Sequence, residues 1–222
     1  MALTKVDKTL IESVNVADLV TTGTADATTF LRGDNAWTAI ASAGLEDMKF
    51  YSANDTWTKP ADVTKVIVFV TGGGGGGGGG SGNNKSGGGA CTAVKIITSG
   101  LGATEAITIG AGGTAGSTGG SGSGGGAGGT ASFGSHVTAG GGGGGSGPSG
   151  RGGDGSTTAT GETFKIGGSA GYGETRGGGS FWGMGDEGLT TGTSVWGSAP
   201  GSRGGSGSAA GEPGCVWVLE FK

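Results

Sequence analysis

The sequence predicts a mainly β protein in two parts. A short N-terminal helical and hairpin segment occupies residues 1–47. Residues 48–222 form a small β-sandwich merged with a bundle of polyglycine-II helices. The glycine distribution leads to this reading, because only Gly23, Gly33 and Gly44 of the 61 glycines precede Gly72. Leu, Ile, Val and Phe make up about 16% of the chain, below the ~20% at which disorder is expected if charge is high. The net charge is only −4, however, and a folded chain of this makeup needs a source of order other than an oily core. Strand-like runs also enter and leave the glycine tracts repeatedly, and the last run follows the last tract. For that run to pair with earlier ones, each tract must fold back on itself.

Within residues 1–20, Leu3, Val6, Leu10, Ile11 and Val14 share one face of a short helix. Such a face suits either a self-associating, partner-attaching segment or a terminal helix docked on its own domain. Residues 21–37 read as a hairpin, with Gly33-Asp34-Asn35 as turn chemistry between Phe30-Leu31 and Trp37. So small a hairpin buries little by itself and favours an oligomer. A first strand is expected from Phe50 to Trp57, ending near Pro60, and a second from Val63 to Val70. Val66-Ile67-Val68-Phe69-Val70 is apolar on both faces, as a strand buried on two sides would be. Further strands are expected at Cys91–Thr98, at Ala106–Ile109, across Ser132-Phe133 and His136-Val137, and at Val216–Phe221. Together they make one sandwich.

Residues 72–80 are nine consecutive glycines, and 140–145 are six. Elsewhere glycine recurs every third residue, at Gly110, Gly113, Gly116, Gly119, Gly122, Gly125 and Gly128, and again from Gly141 to Gly153. Collagen shares that period but needs proline-rich positions between glycines, and this chain has four prolines. A flexible linker does not explain the returning strands. The remaining reading is a stack of left-handed, three-residue-per-turn helices without side chains, whose amides and carbonyls pair between neighbours.

Several functions are not expected. A net charge of −4 offers nothing to neutralise a phosphate backbone, so no nucleic-acid partner is expected. No apolar run reaches the ~18 residues of a membrane span, and the first residues carry no signal-peptide core. His136 is the single histidine, and with Cys91 and Cys215 it makes no convincing zinc site. No nucleophile–base or paired-carboxylate pattern surrounds it, so neither catalysis nor a cofactor is expected. Two free thiols are expected over a Cys91–Cys215 bridge. Arg32-Gly33-Asp34 is a turn, and repeated GxGxxG is meaningless at this glycine content.

The run from Asp55 to Val70 followed by Gly72–Gly80 resembles the opening of the glycine-rich domain at the distal end of many phage tail fibres. Gly129-Thr130-Ala131-Ser132-Phe133-Gly134 and Gly214-Cys215-Val216-Trp217-Val218 are similar to later parts of that domain, and Thr21–Trp37 to a connector found in tail-fibre proteins. The resemblance spans roughly residues 21–145 and the C-terminus. It implies an intertwined homotrimer in the virion, made in the host cytoplasm and held to a tail or adaptor protein through residues 1–20. It also implies a host receptor, either a cell-surface glycan or an outer-membrane protein, bound by variable loops at the end of the polyglycine stack. Residues 156–200 match nothing in the family pattern, so the receptor does not carry over.

Residues 160–200 are the least glycine-dominated part of the outer domain, and aromatic and Arg side chains are what binding hot spots use. Tyr172, Arg176, Phe181, Trp182 and Trp196 are the candidate receptor contacts. Equally, Phe181, Trp182 and Trp196 suit covering the bundle end or a seam between copies. Three functions compete: a receptor-binding fibre, a purely structural virion protein, and an ice-binding protein. The last wants a regular Ala or Thr array that the tracts lack.

Overall fold

The structure, a computed structural model, describes residues 29–31, 36–39, 44–80, 85–117, 122–147, 153–172, 176–184, 199–202 and 209–222. The chain divides into two compact units, Met1–Ala43 and Gly44–Lys222; the sequence-based division at 47/48 falls inside the first strand of the second unit. In the first unit, β1 (Thr29–Leu31) pairs antiparallel with β2 (Trp37–Ala39), Leu31 opposite Trp37. This is the pairing expected around Gly33-Asp34-Asn35. The helix expected over residues 1–20 lies outside the described residues.

The described residues of the second unit form strands and no helix, in line with the mainly β expectation. Its strands are β3 (Leu45–Tyr51), β4 (Asp55–Thr58), β5 (Lys65–Thr71), β6 (Thr92–Ile97), β7 (Thr104–Thr108), β8 (Ala131–Phe133), β9 (Val137–Ala139), β10 (Ala159–Thr160), β11 (Phe164–Ile166) and β12 (Cys215–Phe221). They form two five-stranded antiparallel sheets, ordered β11-β6-β5-β12-β3 and β10-β9-β8-β7-β4. The C-terminal strand sits between β5 and β3, with Val218 opposite both Val68 and Lys49. Alternation aims Val66, Val68, Val70, Val216 and Val218 inward, onto Trp57, Ile107, Phe133 and Val137 of the second sheet. Trp57 and Phe133 are fully buried, with rings 5.6 Å apart.

Two expected strands each prove to be two. The run from Phe50 to Trp57 breaks at Ser52–Asn54, where the chain leaves one sheet for the other. The Asn54 Oδ1 accepts the Ile109 amide at 2.7 Å and fixes that corner. The stretch 132–137 turns at Gly134 (φ 48°), which separates β8 from β9. β10 and β11 were not expected, being two and three residues long in a threonine- and glycine-rich stretch.

Beyond the sandwich the glycine segments run outward and return, and their hydrogen bonds repeat every three residues. In segment 72–80, the amides of Gly73, Gly76 and Gly79 donate to Gly129, Gly126 and Ser123. Those of Gly74 and Gly77 donate to Glu212 and Ala209, and those of Gly75 and Gly78 to Gly88 and Lys85. In return the Gly74 and Gly77 carbonyls accept from Gly113 and Gly116, and those of Gly73 and Gly76 from Gly142 and Gly145. This threefold alternation of partners is that of packed polyglycine-II helices. It satisfies a buried backbone with no side-chain core. Segment 72–80 lies at the centre, which explains its unbroken glycine: a Cβ on Gly73, Gly75 or Gly76 would sit 2.0 Å from a neighbouring carbonyl oxygen.

Candidate functional site

The expected contact residues divide between two places. Segment 167–172 runs away from the sandwich, and Gly171 donates to Gly153, whose amide donates to Ser86 beside the Gly78–Lys85 bridge. Tyr172 and Arg176 therefore lie at the far end of the bundle. They are joined there by reciprocal backbone bonds of 2.7 and 3.2 Å, with Tyr172 81% exposed. The chain then returns to the sandwich, where Ser180 and Gly183 close a turn carrying Phe181 and Trp182. The Trp182 indole Nε1 donates to Thr71 Oγ1 at 2.8 Å. At ~3.1 Å per residue, that turn and Tyr172 are roughly 15–20 Å apart along the bundle. Trp196 lies outside the described residues.

Phe181 and Trp182 rest on the outer face of the β11-β6-β5-β12-β3 sheet. Cross-strand pairing aligns Phe164, Val94, Phe69, Trp217 and Phe50 in one row and Ile96, Ile67, Leu219 and Met48 in the next. The rings are contiguous: Phe50–Trp217 4.7 Å, Trp217–Trp182 5.8 Å, Trp182–Phe69 6.0 Å and Phe181–Phe69 6.2 Å. Phe50, Met48 and Phe164 do not figure among the sequence-based candidates. The signal that marks their face was the two-sided apolarity of Val66–Val70.

Among the described residues no group of three or more His, Cys, Asp or Glu comes together to hold a metal. His136 Nε2 lies 3.0 Å from Glu105 Oε1, which also accepts the Gly102 amide at 2.8 Å. Burial would raise the Glu105 carboxyl, but the Gly102 amide and His136 outweigh it and hold it below its ordinary 4.5. The pair braces the turn after β8, opposite β7.

Cys91 and Cys215 are both free and buried. Burial raises both thiols, and that of Cys215, partly offset by its hydrogen bond with Thr71, reaches about 11. Because the thiolate is the reactive species, neither cysteine should react with a thiol reagent at pH 8 in the native protein. Both should titrate in denaturant; rapid native labelling would contradict this burial.

A family model described as a glycine-rich domain matches residues 51–218. No curated protein matches the chain. The match runs from the end of β3 into β12 and so takes in nearly all of the sandwich and the polyglycine bundle: the chain belongs to this glycine-rich domain family.

Proposed function

We propose that this protein is a phage tail fibre, an adhesin of the virion that attaches to the host cell surface through the far end of its polyglycine bundle. The observation that carries the reading is the exposure of Tyr172 beside Arg176 at the end of a stack whose other end is clamped by the sandwich. Aromatic and arginine side chains are the types that binding hot spots use, and Tyr172 stands 81% exposed at the tip. The partner is a host glycan or outer-membrane protein. Residues 1–20 are assigned to a tail or adaptor protein, and the chain to a homotrimer. The role needs neither catalysis nor a cofactor.

Of the five candidate contacts, Tyr172 and Arg176 suit the receptor best. Phe181 and Trp182 pack on Phe69 and Trp217 and serve the sheet face instead. Purified protein should compete with phage for adsorption to host cells. The double substitution Tyr172→Ala/Arg176→Ala should lower that competition at least ~30-fold, the scale of one interfacial hot spot, with an unchanged thermal midpoint. Full competition by the double variant would move the receptor site elsewhere, and no competition by the wild type would favour a purely structural virion role.

A further inference from the structure

We infer that the outer face of the β11-β6-β5-β12-β3 sheet is buried in solution against a second copy of this chain. The inference deepens the self-assembly part of the reading above and rests on it, while standing apart from the receptor. It starts from a mismatch between pattern and burial. An antiparallel sheet with one face in water alternates apolar and polar residues. β5 and β12 do not, because inward Val66, Val68, Val70, Val216 and Val218 interleave with outward Ile67, Phe69, Trp217, Leu219 and Phe221. The inward set is covered by the second sheet. Among the described residues the outward set is covered only by the turn carrying Phe181 and Trp182, which itself leaves Phe181 45% exposed.

Around that set Leu45, Met48, Phe50, Ile96 and Phe164 are between 43% and 55% exposed. Taking ~150–250 Å² for a whole aromatic side chain, six half-exposed large residues present on the order of 500 Å². The partly buried Phe69, Trp217 and Leu219 add to this. That equals the largest patch of a typical monomer and approaches the ~800 Å² that each partner contributes to a specific interface.

The chemistry of the face selects its occupant. A saccharide needs several hydrogen-bonding groups beside the rings, and in the two central rows the Trp217 indole N–H is the one such side-chain group. The nearest hydroxyls, Thr71 and Thr92, already bond each other and the Trp182 indole. A charged surface is not selected either: at the rim Lys222 pairs with Glu46 and Asp62, and Lys65 sits 4.4 Å over the Phe221 ring. What fits is a dry, aromatic-rich surface with a rim of paired charges, and in a homotrimer the same face of neighbouring copies, converging on the threefold axis, presents one. The described exposed residues of the bundle are mostly glycine, alanine, serine and threonine and offer no comparable partner.

Solution mass and site-directed labelling test this together. The wild type should weigh a multiple of 20.8 kDa at micromolar concentration. Phe50→Lys and Phe164→Glu alter half-exposed side chains and should keep the β-sheet circular dichroism while weakening association at least ~30-fold. Because the native cysteines are buried, Met48→Cys provides a selective maleimide probe that does not depend on other contacts holding copies together. It should label at least tenfold more slowly than Tyr172→Cys at the bundle tip. A wild-type mass of 20.8 kDa, or equal labelling of the two cysteines, overturns the inference. A multimer in which Met48→Cys labels freely would place self-association elsewhere, and this would still leave the adsorption experiment to judge the fibre reading.

Discussion

Gly76→Ala is expected to destabilise the Gly44–Lys222 unit by about 3 kcal/mol, while Gly44→Ala changes it by less than about 0.5 kcal/mol. The added methyl at 76 would stand 2.0 Å from the Thr114 carbonyl oxygen, whereas at 44 it meets nothing within 4 Å. In an ordinary core a side chain rotates to relieve such a contact, and overpacking costs about 1–3 kcal/mol. Here the obstacle is backbone. To restore ordinary contact at 3.4 Å, segment 110–117 must retreat by more than 1 Å. That strains the bonds by which Gly113 and Gly116 donate to Gly74 and Gly77, each 2.8 Å long. Gly76 is itself held on two further sides, donating to Gly126 and accepting from Gly145. Two buried pairs lost at ~1–3 kcal/mol each far exceed the ~0.4–1 kcal/mol that alanine returns by stiffening the unfolded chain. A loss of that size takes up much of the ~5–15 kcal/mol typical of a whole domain. Denaturant midpoints of the two variants decide the matter: if Gly76→Ala unfolds with the wild type, the bundle is not close-packed.

Much of this architecture is legible in the sequence because glycine content and strand periodicity report separate things. Nine consecutive glycines mark the segment surrounded by backbone on every side, while segments nearer the surface carry Thr114, Ser117 or Asp154 where a side chain reaches solvent. What local pattern cannot supply is the path of the chain. Phe50 to Trp57 reads as one strand because the corner at Asn54 depends on the Ile109 amide, 55 residues away in sequence. Tyr172, Arg176, Phe181 and Trp182 read as one cluster because the travel of segment 176–179 along the bundle leaves no mark in residue type. The apolar outward positions of β5 and β12 were legible as two-sided burial, but the residues that complete that face, Phe50, Met48 and Phe164, become its members only through strand pairing. Trp57 carries no sign in sequence of being the centre of the core.

Glu220 is the clearest departure from pattern, and the second large effect is expected there. Alternation along β12 turns this carboxylate inward, where it is 1% exposed. Its Oε1 accepts the Trp57 indole N–H at 2.6 Å and meets Lys49 Nζ at 2.9 Å. The two ways of breaking the group are not equivalent. Glu220→Leu orphans the Trp57 N–H, a cost of about 1–3 kcal/mol, but Lys49 is 34% exposed and can turn to water. Lys49→Met leaves a buried carboxylate with only the indole beside it, and removing one partner of such a pair costs about 3–5 kcal/mol. Lys49→Met is therefore expected to be the more damaging of the two, although it alters the more exposed residue. Adding Trp57→Phe to Glu220→Leu should recover part of the smaller loss by removing the orphaned donor. A pH series separates the mechanisms further. The hydrogen bond to Glu220 raises the Lys49 pKa above its ordinary 10.5, against a smaller opposing effect of burial. Its contribution is thus fully present below 10.5 and is lost as pH climbs through the folded value. Wild-type stability should fall more steeply on that alkaline limb than that of the Lys49→Met variant, which keeps only the loss contributed by other groups with raised pKa, such as the buried Cys215 thiol. Equal destabilisation by the two single substitutions, or an alkaline limb as steep in Lys49→Met as in the wild type, would mean that the indole alone holds Glu220 in the core.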